Sequence, residues 1–92
     1  MQLPQGLSLY KMAPLFDAAS TPPALQADHG TKAGVWGRIH VLSGRLCYRV
    51  TDSRRTAAAL DLSAGAYGII EPTIVRRVEL DGEVSFQVEF WK

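Results

Sequence analysis

The sequence predicts an all-β fold, a small antiparallel sandwich or barrel preceded by an N-terminal arm. Three observations predict it. From Val35 onward, short runs rich in β-branched and aromatic residues recur, each closed by glycine or polar turn residues, which is the spacing of sandwiches and barrels. Within those runs apolar and polar residues tend to alternate, as they do on strands with one buried face. A length of 92 residues with 47% apolar content suits one core and no more.

Taken in order, residues 1–32 read as an arm wrapped over that core. Pro4, Gly6, Pro14, Pro22, Pro23 and Gly30 interrupt it and leave one short strand at Leu7–Tyr10. The β core then occupies residues 33–92, so the chain is expected to form a single domain over 1–92. Its strands are expected at Val35–Leu42, Arg45–Thr51, Ala58–Leu62, Tyr67–Glu71, Arg76–Leu80 and Val84–Trp91. Ser43-Gly44, Ser63-Ala64-Gly65 and Asp81-Gly82 supply the turns, and the last two are close enough to their flanking strands to form hairpins.

Strand parity sorts the side chains by face. Leu46, Tyr48 and Val50 share the inner face, which leaves Arg45, Cys47 and Arg49 outside. Arg76 shares parity with Val78 and Leu80 and is therefore turned inward, opposite the charged pair Arg77 and Glu79. In the last strand Phe86, Val88 and Phe90 lie on one face and Gln87, Glu89 and Trp91 on the other. With apolar residues on both faces this strand is expected to be covered on both sides, which makes Glu89 a candidate buried carboxylate. His40 shares parity with Trp36, Arg38 and Leu42 and reads as outward.

Composition removes several function classes. The net charge of +1 comes from interspersed acids and bases, so no field is present to attract nucleic acid or an anionic membrane. Cys47 is the single cysteine, which excludes an internal disulfide and a multi-thiolate metal site within one chain and fits the cytoplasm. Residues 1–6 lack the basic and apolar segments of a signal peptide, and no stretch is long and apolar enough to span a bilayer, so neither export nor membrane insertion is expected. A second copy would add buried surface to so small a core, and a homodimer is expected for that reason.

Two segments carry a family resemblance. His29-Gly30-Thr31-Lys32-Ala33-Gly34-Val35-Trp36-Gly37, followed by Gly44, and Ile70-Glu71-Pro72-Thr73-Ile74-Val75-Arg76-Arg77-Val78-Glu79, leading to Phe86-Gln87-Val88-Glu89-Phe90, resemble the TehB/YeaR-like cupin family. That family is loosely associated with tellurite resistance and nitrate-responsive genes. The likeness extends over the whole chain, including Tyr10-Lys11 and Ser20-Thr21-Pro22 in the arm. It implies a cupin double-stranded β-helix whose mouth holds a metal or a small ligand. In the family pattern a histidine stands where this chain has Arg76, and together with the position matching His29 it is a metal-ligand candidate. A guanidinium cannot ligate a cation and brings positive charge to the site. The wider cupin pattern is also degenerate, its second histidine falling near Thr31 and its glutamate near Gly37. A divalent metal (Zn, Ni or Fe) is therefore disfavoured, and His29 and Glu89 are the residues that would hold one. The methyltransferase activity associated with longer TehB proteins needs a separate nucleotide-cofactor domain, for which 92 residues leave no room.

The expected pocket is bounded by His29, Trp36, Glu71, Arg76 and Glu89. Arg76 has two readings that can coexist. One is a buried salt bridge to Glu89 or Glu71, because an interior charge seeks a partner. The other is an anion-binding arginine whose planar fork matches a carboxylate or other oxyanion. Glu71, held extended by Pro72, fits the end of a strand at a barrel rim. Cys47, between Arg45 and Arg49, reads as incidental rather than reactive. No phosphate loop, catalytic triad or metal-spaced Cys/His cluster is present. The leading expectation is a cupin that binds a small anionic ligand or oxyanion, without a complete catalytic constellation and linked to a tellurite- or nitrate-type stress response. The alternatives are a metal-dependent cupin enzyme, oxidoreductase or detoxifying, and a dimeric structural module.

Overall fold

Two long strands organise the molecule. The computed structural model describes residues 2–92, and in it β3 (Trp36–Val50) and β6 (Arg76–Trp91) run antiparallel and pair along nearly their whole length. The other strands lie along their free edges. β4 (Ala58–Ser63) and β5 (Tyr67–Ile70) follow one another along β3, pairing with its second and first halves respectively. β1 (Leu9–Met12) and β2 (Phe16–Asp17) do the same along β6. The result is one six-stranded antiparallel sheet arranged as four rows.

The two central rows bend in the middle. Two irregularities interrupt the β3–β6 register, between Val41 and Ser43 and between Gly44 and Leu46, and across them the buried positions of β3 change from odd to even numbers. Such bulges insert unpaired residues and sharpen strand bending. Gly44 sits at the bend with φ of 68°, and a Cβ there would collide with the Glu83 carbonyl oxygen, so the position requires glycine. Bending brings the inner faces of both halves together. Val41, Ile70 and Phe86 from one half meet Leu46, Tyr48 and Leu62 from the other in one core.

Two of the expected turns are therefore not turns. Ser43-Gly44 and Asp81-Gly82 are bulges inside continuous strands, and the four strands expected around them are two. A bulge and a turn demand the same chemistry, a glycine at positive φ beside polar residues, and Gly82 has φ of 89°. Ser63-Ala64-Gly65 does turn the chain, but it joins strands that lie end to end on one edge rather than a hairpin pair.

The arm contains β1, set two residues beyond its expected start, then β2 and a single helical turn, α1 (Pro23–Gln26). Residues 28–35 then cross the segment 71–76 as a strap, with reciprocal backbone hydrogen bonds between His29 and Arg76 and a bond from the Thr73 amide to the Thr31 carbonyl. Among the described residues no helix is long and apolar enough to cross a membrane.

Candidate functional site

Between the inner face of the sheet and the overlying arm lies a cavity of about 380 Å³, a size typical of small-molecule sites. Its walls are mostly carbon. Ile39, Ile70, Val78, Phe86, Val88 and Phe90 face it from β3, β5 and β6, while Leu25 and Val35 face it from the arm and strap. Lys11, Lys32 and His29 border it, and no Asp or Glu is among its lining residues.

Arg76 is the polar group at its inner wall. As the first residue of β6 it is turned inward by the parity it shares with Val78, and only 4% of it is exposed. Its guanidinium Nη1 donates to the His29 carbonyl at 3.4 Å, a long bond. No carboxylate pairs with it among the described residues. Among the described residues neither Nε nor Nη2 has a protein acceptor, and Arg76 is one of the residues that line the cavity. Burial lowers the guanidinium's basicity, partly offset by the nearby Tyr48 hydroxyl. It nevertheless remains a cation at neutral pH. Tyr48 is itself shifted upward by burial and donates to the Ile69 carbonyl at 3.3 Å.

His29 reaches the same cavity from the strap. Its Nδ1 lies 2.9 Å from the Ala27 carbonyl, which can only accept, so Nδ1 carries the proton and the neutral ring leaves Nε2 as a free acceptor. The strap approaches closely because Gly30 lies against the Thr73 backbone, where a Cβ would come within 2.7 Å of the carbonyl oxygen. Thr73 holds a left-handed backbone, φ 66°, at this crossing.

Asp52 fixes the same end of the molecule. Its carboxylate is buried and accepts the Arg54 and Val75 amides at 2.8 Å and both Nε and Nη2 of Arg54. Arg54 Nη2 also donates to the Thr73 carbonyl. These bonds hold the Asp52 carboxyl well below the usual carboxylate range, the Arg54 side chain contributing most. Asp52 was not among the expected site residues. Its signal is local, an aspartate accepting the amide two residues on, as in an Asx turn.

The structure brings two of the five expected pocket residues together, His29 and Arg76, and places the other three elsewhere. Glu71 follows inward-facing Ile70 and so points away, where it pairs with Arg55 at 3.1 Å beside a separate depression. Glu89 follows inward-facing Val88 and lies on the outer face, where it accepts Arg38 Nε at 2.8 Å and the Trp91 indole N–H at 3.1 Å. Trp36 shares the outward parity of Arg38 and is not part of the cavity wall. His40 is outward as expected and stacks on Tyr67 with ring centroids 4.2 Å apart. The salt bridge from Arg76 to Glu71 or Glu89 does not form: Glu71 pairs with Arg55 of the loop after β3, and Glu89 with Arg38 on the outer face.

The donor set does not fit the metal that the cupin resemblance implies. Of the two residues expected to hold one, His29 borders the cavity and Glu89 does not. Among the described residues no cluster of three His, Cys, Asp or Glu side chains could ligate an ion, and Arg76 puts a fixed cation where the ligand histidine would stand.

Comparison with known proteins gives a consistent result. The profile of the TehB-like domain matches residues 11–88. Two Haemophilus influenzae proteins, from strains ATCC 51907 and 10810, each named probable S-adenosyl-L-methionine-dependent methyltransferase TehB, are 32% and 31% identical to this chain over 75 residues. The match covers 79% of this chain and 26% of theirs, so the chain spans about a quarter of the length of these relatives. The crystal structure of TehB from Haemophilus influenzae superposes with a TM-score of 0.81 at 26% identity, over 95% of this chain and 32% of that one. A crystal structure of an E. coli (strain K12) protein superposes with a TM-score of 0.88 at 20% identity, over 100% of this chain and 96% of that one.

Proposed function

This chain belongs to the TehB-like domain family, and we propose that it is a ligand-binding module that takes a small anion into the cavity against Arg76, on a sheet rolled as in a cupin double-stranded β-helix. One observation carries the proposal. A buried guanidinium without a carboxylate faces a cavity whose lining includes Lys11, Lys32 and His29 and no acid. An uncompensated buried charge costs several kcal/mol, and that cost is recovered when an anion accepts its free N–H groups. The strap, through Gly30 and Thr31, closes the other side of the cavity. In the longer relatives the corresponding segment would supply ligand recognition beside the rest of the chain, in keeping with the family's association with tellurite and nitrate responses.

The test compares wild type with Arg76→Met, which keeps the length of the side chain and removes the charge. The variant is expected to melt at the same temperature or higher, because replacing an unpaired buried cation by an apolar side chain relieves desolvation. It is also expected to lose at least tenfold in affinity for any anion that raises the wild-type melting temperature. Anions that stabilise both proteins equally, or none that stabilise wild type, would refute the proposal.

A further inference from the structure

Once an anion is placed against Arg76, the walls around it say what the rest of the ligand must be. An inorganic oxyanion such as phosphate or tellurite presents three or four oxygens, and each must exchange its water for a donor when it is buried. Arg76 offers one free edge, enough for one carboxylate in bidentate geometry. The cationic side chains of Lys11 and Lys32 belong to exposed residues of the arm and strap rather than to the interior. Beyond the guanidinium the strand-borne wall is carbon: Ile39, Ile70, Val78, Phe86, Val88 and Phe90 supply no hydrogen-bond donor from their side chains, while of the two hydroxyls in the lining Thr31 already donates to the Val35 carbonyl and Tyr10 is an exposed residue of the arm. A fully hydrated oxyanion would lose more hydration than this wall returns. A single carboxylate attached to an apolar body loses little and gains from each carbon buried.

We infer that the cavity selects monocarboxylates with an apolar body, aliphatic or aromatic, over inorganic oxyanions. The inference rests on the anion-binding reading above and adds the chemical class of ligand. The carboxylate takes the Nε and Nη2 edge of Arg76, and the body extends along β6 between Phe86 and Phe90 under the arm. The cavity of about 380 Å³ has room for a small organic acid.

Isothermal titration of the full chain with butanoate, hexanoate, octanoate and phenylacetate tests this, with hexanamide and hexylamine as matched neutral and cationic probes and phosphate and tellurite as inorganic ones. The expected result is one site per chain, tightening roughly threefold to fourfold per added methylene until the cavity is filled. Hexanamide should bind at least tenfold more weakly than hexanoate, and Arg76→Met should lose at least tenfold for hexanoate. Phosphate or tellurite binding more tightly than every carboxylate, or no gain with chain length, overturns the inference and leaves the anion pocket standing. Equal binding of hexanamide and hexanoate, or binding of no anion, overturns both. Should Arg76→Met fold poorly, the wild-type length series and the amide comparison decide the matter alone.

Discussion

Arg76 and Asp52 are two buried charges, and their environments differ. Asp52 accepts two backbone amides and the Arg54 guanidinium, whereas Arg76 has one long bond to a carbonyl. The first is a structural anchor and the second is a charge still open to a partner. Because the Asp52 carboxyl is held below its ordinary value, its contribution to stability is complete above the unfolded carboxylate pKa near 4 and is lost as pH falls through that value toward the folded one. Melting temperature measured from pH 6 to pH 2 is therefore expected to fall for wild type. It should fall less steeply for Asp52→Asn, which starts lower but has no charge to lose. Glu79, held low by Arg77 and Arg49, and Asp17, held low by Ser20, slope the same way in both proteins. Parallel curves would mean that Asp52 is not the anchor. Arg76 was legible in the sequence because parity alone turns it inward. Glu89 is nearly buried, as its strand suggested, but on the outer face rather than at the cavity. Trp91 beside it suggested a second covering layer, but that face is shielded by its own side chains, with the Arg38 guanidinium 4.4 Å from the Tyr67 ring centre and 5.6 Å from that of Trp91.

At the scale of elements, the bend in β3 and β6 makes an interior from a single sheet. Gly44 and Gly82 both hold positive φ, but a Cβ at Gly82 would meet open space while one at Gly44 would strike the Glu83 backbone. Gly82→Ala should therefore cost only the left-handed conformation, about 1–2 kcal/mol. Gly44→Ala should cost clearly more, because β6 must also move. Chemical denaturation of the two variants measures the difference, and equal costs would place the bend elsewhere. This part of the fold was only half legible. The positions of the runs and their inner faces follow from period-two alternation, as Leu46, Tyr48 and Val78 demonstrate. Whether a Ser-Gly or Asp-Gly pair reverses a strand or bulges it depends on which row lies alongside, and that is settled by contacts far away in sequence. The same ignorance of pairing made Ser63-Ala64-Gly65 look like a hairpin.

At the scale of the whole molecule, the arm, the strap and the bent sheet enclose a cavity that no single segment specifies. Its apolar wall comes chiefly from three strands, its cation from the start of β6 and its rim from residues near the start of the chain. Of the residues expected to bound the pocket, the structure brings His29 and Arg76 together through backbone pairing and places Glu71, Trp36 and Glu89 outside the cavity lining. What the sequence could not supply is that Glu71 is claimed by Arg55 and Glu89 by Arg38, and this leaves Arg76 without a carboxylate among the described residues. The central claim is that the unpartnered guanidinium receives the carboxylate of an apolar acid. A crystal structure of the full chain with 4-bromophenylacetate, using the anomalous signal of bromine, tests it most directly. The account predicts bromine among the apolar walls near Phe86 and Phe90, with the carboxylate about 2.7–2.9 Å from the Arg76 nitrogens. Bromine elsewhere, or Arg76 paired with Glu71 or Glu89 in an empty cavity, would contradict it.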